Sequence, residues 1–151
     1  MKVYIAAPYG EAIFVRTEVF SMLRAAGLEP VATWAVEANG EQENLLTISR
    51  EILRSRWIRN RSDLTRSDAV LVIARDGCGG EMFAEIEQAR FAALSIYWCG
   101  RLTLSAFDVH VRVRESATID GIARAVGAVR AYAMSLGQNV VPIKKPPEGQ
   151  T

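Results

Sequence analysis

Glu85 stands five residues beyond Gly80 in Cys78-Gly79-Gly80-Glu81-Met82-Phe83-Ala84-Glu85-Ile86, and it is the side chain best placed for chemistry in this sequence. The glycine pair follows an apolar run, Ala69 to Ala74, so the segment reads as the end of a buried strand, a glycine turn and a helix start. Glycines admit a ligand close to the backbone. The helix start sets free N–H groups and partial positive charge beside a first-turn carboxylate. Such a carboxylate stays ionised and can face a bound sugar or phosphate; the alternative is an ordinary acid that stabilises a helix N-terminus.

Other side chains offer less. Asp63, five residues before Asp68, either caps a short final helical segment or, if the long helix breaks near Arg61, reaches a ligand. Tyr4, near the end of the first apolar run, either packs in the core or donates its phenol to a neighbouring carboxylate. Arg50, Arg54, Arg56, Arg59 and Arg61 make a basic helix, which is a solvated face or a phosphate site. Trp34, Trp57 and Trp98 read as core residues, with Trp34 also able to stack on a base at the end of a strand. Cys99 reads as a small core residue and Cys78 as part of the glycine turn.

Several chemistries are excluded. No G-x-x-x-x-G-K-[ST] run is present, and the first turn lacks G-x-G-x-x-G, which removes a Walker-type loop and argues against a dinucleotide site. His110 is the only histidine, so a His-assisted nucleophile or a His-based metal site is not expected. Cys78 and Cys99 form neither a disulfide framework nor a metal-ligand spacing. What remains is carboxylate chemistry, with no metal or organic cofactor.

The elements that must position these residues follow from the apolar pattern. The chain has 151 residues, 50% hydrophobic and 23% charged, which suits a globular domain with a sizeable core. Its formal charge of +1 gives no reason to expect a nucleic-acid or membrane surface, and no apolar stretch approaches a membrane span. A cytoplasmic protein is the default expectation. Strands are expected at Val3 to Ala7, Leu28 to Trp34, Ala69 to Ala74, Ile96 to Cys99 and around Val109, Val111 and Val113. Helical patterns run from Ile13 to Ala26, from Leu45 to Ile58, from the glycine turn through Leu94, and from Ile119 to Leu136. Strands alternating with helices predict an α/β fold: one domain over residues 1–140, with a doubly wound five-stranded parallel sheet of order 2-1-3-4-5, helices on both faces and a tail at 141–151. Ligands bind such sheets beyond the strands' carboxyl ends, where the order reverses. That crevice would lie between Pro8-Tyr9-Gly10 and the turn Gly77 to Gly80.

In this arrangement the chain resembles the nucleoside 2-deoxyribosyltransferase-like superfamily, which includes the transferases and the deoxynucleoside 5′-monophosphate N-glycosidases. Lys2-Val3-Tyr4-Ile5-Ala6-Ala7-Pro8-Tyr9 resembles the family's opening strand and turn. Asp63-Leu64 followed by Ser67-Asp68-Ala69-Val70 is similar to its D-L-x-x-x-x-A-D-x-V stretch, and Gly80 through Glu85-Ile86 and Ala89 to its E-[IL]-G-x-A motif. The resemblance implies that Glu85 attacks the anomeric carbon, that Tyr4 orients it and that Asp63 assists the departing base. It implies substrate contacts from Ala7, Pro8, Tyr9 and Gly10 at the first turn, from Arg16 and Trp34, and from Gly79 and Gly80. Ser105 and Phe107, in a later loop, would reach a neighbouring subunit's substrate. A small-molecule nucleoside or nucleotide is then the partner, in a homodimer or larger homo-oligomer.

The expected activity is cleavage of an N-glycosidic bond, with hydrolysis or transfer to another base. Two alternatives stand beside it. One is a phosphoribohydrolase of the lysine-decarboxylase-like group, which the missing P-G-G-x-G-T run disfavours. The other is a non-catalytic nucleotide-sensing module, which Glu87, in place of the family's glycine, favours.

Overall fold

A computed structural model describes residues 1–37, 48–75, 80–101 and 111–138. Five strands, β1 (Lys2–Ala6), β2 (Glu29–Val31), β3 (Ala69–Ala74), β4 (Ser95–Gly100) and β5 (Val111–Glu115), form one all-parallel sheet of order β2-β1-β3-β4-β5. β3, Ala-Val-Leu-Val-Ile-Ala, is buried at every position, as a central parallel strand covered on both faces must be. β5 alternates instead, because it lies at an edge. The order reverses between β1 and β3, which makes their carboxyl ends the switch point of the fold.

The first helical region is composite. A 3-10 turn at Tyr9–Glu11 leads into α1 (Ala12–Phe14), a π segment at Val15–Val19 and α2 (Phe20–Ala25). Ala12, Val15, Val19, Phe20 and Leu23 form its buried stripe, and Gly27, at φ 75°, turns the chain into β2. β2 is shorter than the apolar run suggests: Thr33–Glu37 forms a helix, α3, so Trp34 belongs to a helix and not to a strand end.

α4 (Arg50–Thr65) starts at Ser49, whose hydroxyl accepts from the Ile52 N–H at 3.3 Å. Ile48 therefore precedes the helix, and Leu45 lies outside the described residues. α5 (Gly80–Phe91) buries Met82, Ile86 and Ala89. It stops short of Leu94, since Ala93 adopts φ 55° before β4. α6 (Ile119–Ser135) is capped by Thr118, which accepts from the Gly121 N–H at 3.2 Å. α4 and α5 cover one face of the sheet, and α2 and α6 cover the other. The tail expected at 141–151 lies outside the described residues.

At the carboxyl edge, Gly100 has φ 122°, and a Cβ there would come within 2.2 Å of the Ala74 carbonyl oxygen. The ends of β3 and β4 approach so closely that only glycine fits. No helix among the described residues is long and apolar enough to cross a membrane.

Candidate active site

Glu85 lies in the second turn of α5, since the helix begins at Gly80; Glu81 is the first-turn acid. The side chain is half-buried and turned toward β1 and α4 rather than held at the helix terminus. Asn60, on α4, donates its Nδ2 to Glu85 Oε1 at 2.9 Å. Burial pushes the Glu85 carboxyl up to about 7, Tyr4 and Asn60 pull it down by favouring the ionised form, and the charge of Glu81 raises it again. A carboxylate poised there is half ionised at neutral pH and poorly solvated, which suits a nucleophile.

Tyr4 is fully buried on β1. Burial first, and then the facing Glu85 carboxylate, hold its phenol well above its usual pKa, so it stays protonated and can only donate toward Glu85. The phenol lies near enough for each group to act on the other, yet Tyr4 Oη makes no hydrogen bond of good geometry among the described residues. Among the described residues, Asn60 Oδ1 and Trp98 Nε1 are also buried without a hydrogen-bond partner. Register places Tyr4 beside Val70 and Ile96, and Ala6 beside Val72 and Trp98. Trp98 thus shares the Tyr4 face of the sheet, one side-chain row nearer the carboxyl edge.

Asp63 does not join this group. α4 runs unbroken past Arg61, and Asp63, in its last turn, is 1% exposed. One carboxylate oxygen accepts from the Thr33 N–H at 2.7 Å and the other pairs with Arg66. The carboxylate borders a groove along the β2 edge with Lys2, Glu29 and Thr33, not the crevice of Glu85. The unbroken helix that enters β3 ends near the sheet's amino edge, so the Asp63 carboxylate fixes the β2–α3 connection, while its charge still acts on the Tyr4 phenol.

The first turn is assembled as the sequence implies, with the roles distributed differently. Ala7 is buried and Pro8 half-buried. Gly10 is exposed, and a Cβ on it would meet nothing within 4 Å. The same holds for Gly80 at the start of α5. Neither needs glycine for its own backbone, so both leave open space. Tyr9 packs its ring 5.9 Å from that of Trp34, and Arg56 lies 4.7 Å from the centre of the Tyr9 ring. Trp34 is buried and donates its indole N–H to the Ile5 carbonyl at 3.0 Å, so it supports Tyr9 instead of offering a free stacking face. Arg16 lies on the exposed side of the π segment and donates to the Val36 carbonyl at 3.3 Å, which ties it to the C-terminal end of α3. Arg75, just beyond β3, pairs with Glu11 at 3.2 Å and lies over Phe14, joining the ends of β1 and β3. Gly79, Ser105 and Phe107 lie outside the described residues, as do Cys78 and His110.

Sequence reasoning missed Asn60 and Glu81. Asn60 was legible only as one polar residue among five arginines of α4, although it sits three residues before Asp63 and therefore on nearly the same helix face. No group of His, Cys, Asp and Glu that could hold a metal ion occurs among the described residues.

The sequence matches no protein-family model and is similar to no curated protein. The fold is nevertheless shared with a solved structure, the CMP N-glycosidase BcmB of Clostridium botulinum, at a TM-score of 0.54 and 9% identity, over 85% of this chain and 99% of that one.

Proposed function

We propose that this protein cleaves the N-glycosidic bond of a nucleoside 5′-monophosphate or nucleoside, with Glu85 as the nucleophile. The observation that carries this reading is the Glu85 carboxylate, raised to about 7 between Tyr4 and Asn60 on the β1–β3 side of α5. Its likeness in fold to a CMP N-glycosidase supports the same substrate class. In this reading Glu85 forms a bond to C1′ as the C1′–N bond to the base breaks, and the base leaves with the bonding pair and takes up a proton from solvent, which the attacking water or acceptor base returns in the second step. Water or a second base then attacks C1′ and releases the carboxylate. Tyr4 donates toward the carboxylate oxygen that does not attack, and Asn60 fixes the rotamer.

Glu87, which stands where the family carries glycine, pairs with Arg90 at 2.8 Å. The reading includes a homodimer or larger assembly, in which Ser105 and Phe107 act across the interface. The decisive assay incubates the purified protein with a panel of ribo- and deoxyribonucleosides and their 5′-monophosphates, with and without an acceptor base, and follows free base by chromatography. Release by the wild type that is lost in Glu85→Ala is the expected outcome; no release from any substrate would remove the proposal.

A further inference from the structure

We infer that the outer face of α4 binds single-stranded nucleic acid, on a surface separate from the Glu85 site and independent of the reaction proposed there. Arg50, Arg54, Trp57 and Arg61 follow one another at i, i+4, i+7 and i+11, the spacing that sets side chains in one line along a helix. All four are exposed, Trp57 at 52%. The contacts that attach α4 to the rest of the protein, Arg56 over Tyr9, Asn60 to Glu85 and Asp63 to Thr33, leave from another side of the helix. Arg59, on the same helix, pairs with Glu37, whereas no carboxylate among the described residues pairs with Arg50, Arg54 or Arg61. Like charges one turn apart, Arg50 and Arg54, disfavour a helix that stands alone and favour one that holds an anion. The formal charge of +1 over the whole chain conceals this concentration of arginine.

Charge alone would suit any polyanion; Trp57 narrows the choice. It is a large aromatic ring left half in water, with the Arg61 guanidinium 5.2 Å from the ring centre. An unstacked base offers a flat π face to that ring, and each phosphate of the same strand offers an anion to an arginine. A helix rises about 6 Å over four residues, so Arg50, Arg54 and Arg61 spread their charges over about 16 Å, the length of a few nucleotides rather than of one phosphate. An acidic peptide brings carboxylates but no planar group for the indole. A membrane needs a continuous apolar face, and Glu51, Ser55 and Ser62 interrupt the exposed side of α4. A duplex keeps its bases stacked and withholds them from Trp57.

The test is binding of a fluorescently labelled uridine dodecamer, followed by anisotropy between about 50 and 200 mM salt. Binding is expected, and log K should fall against log salt with a slope of about −2, since each phosphate held on a single strand contributes about −0.7. Arg54→Gln should bring the slope to about −1.4, and Arg54→Gln combined with Arg61→Gln to about −0.7. Trp57→Ala should weaken binding about tenfold or more, while Trp57→Phe, which keeps a ring, should stay within about threefold of the wild type. Intrinsic fluorescence gives a second reading: Trp34 and Trp98 are buried, so quenching by the dodecamer reports Trp57. All of these substitutions fall at exposed positions, and an unchanged melting temperature shows that each variant is folded. A duplex of the same length, polyglutamate and phosphatidylserine vesicles should each bind at least about tenfold more weakly. No binding of the dodecamer at the lower salt, a slope near zero, affinity unchanged in the variants, or any of the three other probes bound as tightly as the dodecamer would overturn the inference.

Discussion

A carboxylate that titrates near neutrality makes activity and stability depend on pH in opposite senses. In the proposed reaction Glu85 attacks as the carboxylate, so kcat/KM should rise with pH and level off above about 7. Tyr4→Phe and Asn60→Leu each remove a group that favours the ionised form and should move this limb to higher pH, while Glu81→Gln should move it lower. A limb near 4.5 in the pH profile would show that Glu85 is not desolvated as described. Stability follows the proton. Between 4.5 and about 7 the folded carboxyl keeps a proton that the unfolded chain has lost, so folding stability falls as pH rises through that window. Glu85→Gln should therefore be inactive yet more stable at pH 8, by up to about 3 kcal/mol in chemical denaturation, and no different below pH 4. Equal stability at pH 8 would contradict the burial of this charge. Glu85 and Tyr4 were legible in the sequence because a glycine turn and an apolar strand fix their positions. Asn60 was not, because its contact depends on how α4 packs against α5, a tertiary fact without a local pattern.

At the level of elements, the strands were more legible than the helix ends. β3 occupies the whole apolar run Ala69–Ala74, because a strand covered on both faces has no polar alternation to blur its limits. The run Leu28 to Trp34 misled, since apolar residues serve equally well in a short buried helix, and the Trp34 indole bonded to Ile5 holds α3 in place of a longer strand. Asp63 shows another limit: its residue type suggested chemistry, and its two partners, Thr33 and Arg66, were not legible in the sequence. Asp63→Asn should cost about 1–3 kcal/mol in stability, because it weakens a buried charge-assisted pairing with Thr33 and Arg66, and turnover by the folded variant should stay within a few-fold of the wild type. A loss of kcat of about a hundredfold or more at unchanged Tm would return Asp63 to the reaction.

The molecule as a whole was foreseen in its sheet order, because alternating apolar strands and amphipathic helices leave few right-handed ways to wind a parallel sheet. One constraint at the carboxyl edge was not foreseen. Nothing local marks Gly100 as different from other glycines, yet its positive φ and the 2.2 Å clash a Cβ would make with Ala74 bind β3 to β4 where the crevice opens. Gly100→Ala should lower stability by about 3 kcal/mol or more, whereas Gly127→Ala, on the exposed side of α6 with nothing within 4 Å, should raise it by about 0.5–1 kcal/mol. Thermal melts of the two variants side by side would check the contrast; a mild effect at Gly100 would mean that the strand ends can separate. Sedimentation at working concentration tests the proposed assembly, and a monomer would leave Ser105 and Phe107 without the cross-subunit role.

α4 carries two attachments on consecutive turns, Asn60 to Glu85 and Asp63 to the Thr33 backbone. Because a helix is stiff over so short a span, it ties the start of α3, where Thr33 lies, to the Glu85 side chain. A small displacement where β2 meets α3 would reach that carboxylate as a change in its orientation. Substitutions at that remote margin would then be screened by catalytic rate as well as by folding, although no atom there touches the sugar.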